Sequence, residues 1–159
     1  VSVESLKRIS PKALKVWKLY GLFQTLGFVA VAIAVIVLSY LFNWPTWMIA
    51  IAIIVIILFT YLLVFLIPTM RWKRWRYEVR EQEIELQRGI FIVKRTLIPM
   101  VRVQHVDTVQ GPILKKYHLS TITISTAATV HEIPALDTGE ADELRNSISL
   151  LARVAEEDV

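Results

Sequence analysis

The side chains able to do chemistry in this chain are three histidines, a run of glutamates and several basic clusters. His105, His118 and His131 are spaced 13 and 13 residues apart. No zinc motif has that spacing, and the chain contains no cysteine to complete one. His105 and Asp107 share a side of an extended strand, and with a serine they would imitate a hydrolytic triad. No nucleophile elbow accompanies them. Glu78, Glu83 and Glu85 sit at alternating positions and read as outward strand residues, not as an acid–base pair. Phosphate-binding loops and dinucleotide fingerprints are absent from a chain with only 5 glycines. The expectation is a protein with no enzyme activity, no cofactor and no metal.

The basic residues form two candidate surfaces. Arg71, Lys73, Arg74 and Arg76 interleave with Trp72 and Trp75. Such a cluster either rests on anionic lipid or simply sets membrane topology. Lys94, Arg95, Arg102, Lys115 and Lys116 form the second group. If the strands bring them to one rim, they suit a lipid phosphate or an acidic partner segment; otherwise they are a solvated face. Residues 71–159 carry 13 basic and 13 acidic side chains. That balance argues against nucleic acid, whose binders carry a net basic domain. The charge is polarised, at +5 over residues 71–102 and −6 over residues 131–159.

The elements that position these groups follow from an uneven composition. The 159 residues are 55% hydrophobic, with a mean hydropathy of +0.51. From Leu19 to Met70, 52 residues pass without Lys, Arg, Asp, Glu or His. Asn43-Trp44-Pro45-Thr46 interrupts them as a turn, because proline disfavours helix at the residue before it. The two apolar runs, residues 22–42 and 47–67, each extend about 31 Å as helix, matching the ~30 Å hydrocarbon layer. Residues 19–70 therefore read as a two-helix transmembrane hairpin, with Trp44 and Trp47 at the headgroup level of its turn. Basic residues flank both outer ends and none lies in the turn. The positive-inside rule then makes a two-pass protein of the cell membrane with both termini cytoplasmic. Residues 1–18 are a basic leader, either solvated or a short interfacial helix. Ser10-Pro11 is a helix start, with serine as N-cap and proline in the first turn.

Residues 71–159 switch to alternation. Segments at 76–80, 83–87, 90–98, 101–106, 119–126 and 130–133 read as six strands, or seven if a bulge divides one. Residues 113–117 suit one helical turn. From Asp137 or Thr138 an amphipathic helix begins, with Ala141, Leu144, Ile148 and Leu151 on one stripe. A small antiparallel sheet cannot cover its own core, so this helix should close a roll or barrel. Ile84, Leu86 and residues 90–93 are candidates for a pairing edge.

Several segments together carry a resemblance. They are Trp75-Arg76-Tyr77-Glu78, Ile98-Pro99-Met100-Val101-Arg102-Val103-Gln104-His105-Val106-Asp107-Thr108, Gln110-Gly111-Pro112, Leu114-Lys115-Lys116-Tyr117 and Ser125-Thr126-Ala127-Ala128-Thr129. With the hairpin before them, the chain resembles the bacterial PH-like membrane proteins of the YdbS type over nearly its whole length. The resemblance implies a cytoplasmic mainly-β PH-like roll and, often, a larger paralogous neighbour with repeated copies of the domain. It implies no ligand and transfers no site residue. Two classes of function remain. One is a non-enzymatic membrane-anchored binding or scaffold protein, assembling with a larger paralogous PH-like membrane protein in envelope maintenance or defence. Its partners would be that protein and membrane lipid, with a homo-oligomer open and a lipid-headgroup-sensing module as the variant. The other is a small subunit of a membrane enzyme or transporter. The absence of Lys, Arg, Asp, Glu and His from the hairpin weighs against it.

Overall fold

The structure is a computed structural model that describes residues 7–158. It divides into two units. Trp17–Met70 forms one, and the described residues on either side of it form the other. The apolar hairpin is thus an insertion in the second unit, whose chain leaves after Val16 and resumes at Arg71.

The hairpin is built from α1 (Lys12–Phe42), α2 (Thr46–Tyr61), a π-helical turn (Leu62–Leu66) and α3 (Ile67–Arg74), with the outer ends of α1 and α3 belonging to the second unit. Its second span, Thr46–Arg74, buries none of its most apolar window. A core helix of a soluble protein would be covered, whereas a helix apolar on all sides and bare suits lipid. At the turn, Asn43 adopts a φ of 53° and the Trp44 amide donates to the Ser39 carbonyl at 3.1 Å. Asparagine tolerates this left-handed conformation, and the bond caps the end of α1. The two spans approach closely at Gly21, where an added Cβ would lie 2.1 Å from the Leu63 carbonyl oxygen. Leu63 belongs to the π turn, which ends two residues before Pro68. Proline removes one N–H and crowds the carbonyl four residues back, which is a recognised cause of such a distortion. Thr25 Oγ1 donates to the Gly21 carbonyl at 2.9 Å, and Phe28 stacks on Phe59 at 5.3 Å.

The second unit contains seven strands: β1 (Lys7–Arg8), β2 (Arg76–Val79), β3 (Glu83–Arg88), β4 (Lys94–Pro99), β5 (Val103–Val109), β6 (Leu119–Thr126) and β7 (Val130–Asp137). A 3₁₀ turn (Met100–Arg102) joins β4 to β5, a short α4 (Pro112–Lys116) joins β5 to β6, and α5 (Thr138–Glu157) follows β7. The sheets are antiparallel, ordered β1-β2-β3-β4 and β5-β6-β7. The core is apolar: Tyr77, Ile84, Leu86, Ile98, Met100, Ile122, Ile124 and Ile133 are all buried. Helix α5 adds Ala141 and Ile148 from its stripe and packs on β5, β6, β7 and the 3₁₀ turn.

Each of the six strands read between residues 76 and 133 has a counterpart, with the third starting at Lys94 and the fourth at Val103, and the expected roll with its C-terminal helix forms. It differs from a barrel in one respect: among the described residues no strand pair joins the two sheets. The leader supplies a seventh strand. Lys7 and Arg8 pair with Tyr77 and Arg76, and Ile9, Ala13 and Val16 are buried. The helix start stands where the sequence put it: the Lys12 amide donates to Ser10 Oγ at 3.3 Å and the Ala13 amide to the Ser10 carbonyl at 3.0 Å.

The pairing edge is corrected. Ile84 and Leu86 face the core from β3, which lies between β2 and β4 and has no free edge. Residues 90–93 are not strand at all. Gly89 turns the chain at a φ of 140°, and β4 begins only at Lys94.

Candidate functional site

The sheet β2-β3-β4 ends in a loop, residues 89–93, bounded by the facing pair Arg88 and Lys94. The loop depends on glycine. At Gly89 a Cβ would meet the Ile92 carbonyl oxygen at 1.9 Å, in a backbone conformation L-residues rarely adopt. Beside this loop lies a cavity of about 630 Å³. Arg71, Arg88 and Lys94 give it cationic walls; Trp75, Ile90, Phe91, Ile92 and Pro134 give it apolar ones; Glu132 is its carboxylate. Trp75 is buried, while Phe91 and Ile92 are 76% and 83% exposed.

The cleft carries an electrostatic imbalance. Arg88 and Lys94 stand directly opposite each other on neighbouring strands, and like charges so placed repel. Neither makes an ion pair with a described residue. Their field reaches His131, whose imidazolium is disfavoured first by burial and then by Arg88 and Lys94, so its pKa falls below the ordinary value. His131 Nε2 lies 2.8 Å from Thr129 Oγ1.

One residue further along β4 the situation reverses. Arg95 is ion-paired with Glu85, which also meets Arg80. Arg80 reaches Glu78 at 2.9 Å and Glu83 at 2.8 Å as well. The hydrogen bond from Arg80, and then that from Arg95, hold the Glu85 carboxyl below the usual carboxylate range. The glutamates read as outward strand positions are therefore the counter-ions of this network.

The basic residues singled out from sequence separate into several places. Lys94 lines the cleft and Arg95 faces the glutamates. Arg102 lies with His131 and residues 126–129. Lys115 and Lys116 end α4, at the far end of β5, and their charge suits that helix terminus. The structure brings no single rim together, because β5 holds Arg102 and α4 apart by about 20 Å of strand. In the membrane-proximal cluster, Arg71 joins the cleft, Lys73 and Arg74 are exposed at the end of α3, and Arg76 is half-buried in β2. Trp75 is core. Trp72 donates its indole N–H to the Ser10 carbonyl at 3.0 Å, with Arg8 5.6 Å above its ring, so it clasps the leader.

Sequence reasoning passed over Arg88 and Glu132, and took Phe91 and Ile92 only as part of a pairing edge. A signal was present for three of them: a glycine and four apolar residues bracketed by Arg88 and by Lys94-Arg95. Glu132 enters from β7, and no local pattern connects it to β3. Buried Tyr77 donates its hydroxyl to Glu140 Oε1 at 2.8 Å, and burial first, then that carboxylate, pushes its pKa upward. This bond ties β2 to α5 and lies outside the cleft. Among the described residues no group of three His, Asp or Glu could hold a metal ion.

Two long apolar spans and an open seven-stranded roll with a C-terminal helix define a membrane protein bearing a PH-like domain. The chain belongs to the family described as Bacterial PH domain, which matches residues 17–152. It is 57% identical over 152 residues to the UPF0699 transmembrane protein YdbS of Bacillus subtilis (strain 168), covering 96% of each chain. A second relative, the UPF0699 transmembrane protein YdbT of the same organism, is 24% identical over 83 residues. That match covers 50% of this chain and 17% of YdbT, a much longer protein. No solved structure matches the chain significantly.

Proposed function

We propose that the protein is a non-enzymatic, membrane-anchored PH-domain module that binds phosphate-bearing headgroups of anionic lipid at the Arg71–Arg88–Lys94 cleft. One observation carries this reading: two facing cations that make no ion pair with a described residue line a half-apolar cavity. An anion between them relieves their repulsion, and phosphate is well matched to guanidinium and ammonium donors. The site is also close to lipid along the chain, since Arg71 is the first residue after the apolar run. The flanking basic residues support a two-pass insertion in the cell membrane with both termini cytoplasmic, the side where anionic lipid attracts cations. The uncharged hairpin supports a binding role over transport or intramembrane catalysis.

The test uses the full chain in detergent, titrated with short-chain phosphatidylglycerol, short-chain phosphatidylcholine and inorganic phosphate. Saturable binding of phosphatidylglycerol well above phosphatidylcholine, weakened roughly thirtyfold by Arg88→Gln/Lys94→Gln, is expected. Equal affinity for the two lipids would refute the reading. Tight inorganic phosphate binding would identify a soluble ligand instead.

A second reading has its own support. A longer relative of the same family in the same organism as YdbS is the kind of partner a scaffold would have. Copurification of such a relative in fixed stoichiometry from native membrane supports that assembly; its absence counts against it.

A further inference from the structure

We propose that the loop at residues 90–93 is an interfacial wedge: Phe91 and Ile92 enter the leaflet while Arg88 and Lys94 stay at phosphate level. This rests on the lipid reading above and gives it a mode of contact. A turn at the end of a soluble hairpin is ordinarily polar, with Gly, Asn, Asp or Ser. Here Ile90-Phe91-Ile92-Val93 is wholly apolar, and Phe91, Ile92 and Val93 are 76%, 83% and 40% exposed.

Three further observations select a bilayer as the occupant. Cations bracket the apolar tip on both strands, the charge order of a segment seated in an anionic leaflet: apolar groups below the phosphates, ammonium and guanidinium among them. Arg71 lines the same cleft and directly follows Met70, the last residue of the charge-free run, so along the chain the cleft adjoins the apolar span. The tip is also a built shape. Gly89 at a φ of 140° folds the loop so tightly that no side chain fits there, which keeps both rims in register and presents Phe91 and Ile92 outward. Membrane contact of this kind adds an apolar hold to the electrostatic one, and two weak signals together give a stable attachment where one alone gives a reversible one.

The absence of cysteine from the chain makes the test direct. A nitroxide is attached to the full-chain variant Ile92→Cys, and in parallel to Gln104→Cys, an exposed site on β5. Both are reconstituted into nanodiscs of phosphatidylglycerol with phosphatidylcholine, and of phosphatidylcholine alone. The expected result is a label at 92 that collides with oxygen severalfold more than with a water-soluble nickel chelate in anionic discs, and the reverse at 104. A label at 92 that stays chelate-accessible in anionic discs, while short-chain phosphatidylglycerol still binds, overturns the wedge and leaves the headgroup site intact. Equal immersion in neutral and anionic discs supports the wedge and removes the anionic selectivity beneath it. Oxygen-rich signals at both 92 and 104 would show general immersion of the domain and overturn a specific wedge.

Discussion

Lys94 and Arg95 are neighbours in sequence and carry the same charge, yet they belong to opposite electrostatic environments. Lys94 faces Arg88 beside the cleft with no described carboxylate paired to it; Arg95 is locked to Glu85, which in turn holds Arg80. A strand sends successive side chains to opposite faces, so a dibasic pair is divided by construction. The contrast shows how to tell a structural cation from one available to a ligand. On one face of the hairpin, three glutamates from β2 and β3 meet two arginines. On the other, three cations share a cavity with one glutamate and an apolar loop. Polar networks that satisfy themselves stiffen a sheet, whereas an unbalanced pair next to a cavity is poised for an outside anion.

Gly89→Ala should separate the two regions most sharply. A left-handed conformation and a backbone clash together should cost about 1–3 kcal/mol of domain stability. Headgroup binding should be lost with the loop, while the Arg80–Glu85–Arg95 network survives. Thermal unfolding in detergent beside a phosphatidylglycerol titration reads both effects.

The double variant Arg88→Gln/Lys94→Gln should cost about 2 kcal/mol of anionic-lipid affinity, roughly thirtyfold, since each cation near an anionic leaflet contributes about 1 kcal/mol. Its unfolding temperature should not fall, because the substitution removes a repulsion.

Arg95→Gln should do the opposite. Lipid affinity should stay within about twofold, as for a surface change away from the site. The penalty should appear in acid stability. Glu85 has a folded pKa below its ordinary value, so its contribution is present above that value and disappears as pH falls through the folded one. Acid unfolding of the variant should therefore begin at higher pH, and the two proteins should converge at low pH.

His131 gives the smallest and most specific signal. Burial lowers its pKa first, and Arg88 and Lys94 lower it further. A bound phosphate cancels part of that field, so the pKa read by NMR should rise on adding phosphatidylglycerol. It should also rise in Arg88→Gln/Lys94→Gln without lipid, and stay put in Arg95→Gln. Since the unfolded chain takes up this proton more readily, stability should decrease as pH drops through the ordinary histidine value of 6.5 toward the folded one.

Legibility followed the range of the interactions. The six strands from β2 to β7 announce themselves because alternation repeats within each segment, and the stripe of α5 does so by its 3.6-residue period. β1 has no such signal. It is two charged residues whose partners, Tyr77 and Arg76, follow some 70 positions later, beyond the inserted hairpin. Residues 90–93 mislead for the converse reason. Their composition is strand-like, but Gly89 turns the backbone before they can pair. In the cleft, Lys94 and Arg71 were visible as basic residues; their shared cavity with Arg88 and Glu132 was not, because it joins three separate stretches of chain.

Composition and short-range pattern alone determined the charge-free hairpin with its tight Asn43–Pro45 turn, the helix start at Ser10, the meander of strands and the closing amphipathic helix. Each of these follows from the solvent preference or periodicity of neighbouring residues, which needs no distant partner. Only the tertiary structure decided that the leader completes the sheet, that the two sheets stay open, and that Arg95 is neutralised while Lys94 is not. Those outcomes depend on which strands pair and in which register. Register is a long-range property: a one-residue shift would exchange every inward and outward side chain of β4 and reverse the roles of its two leading cations.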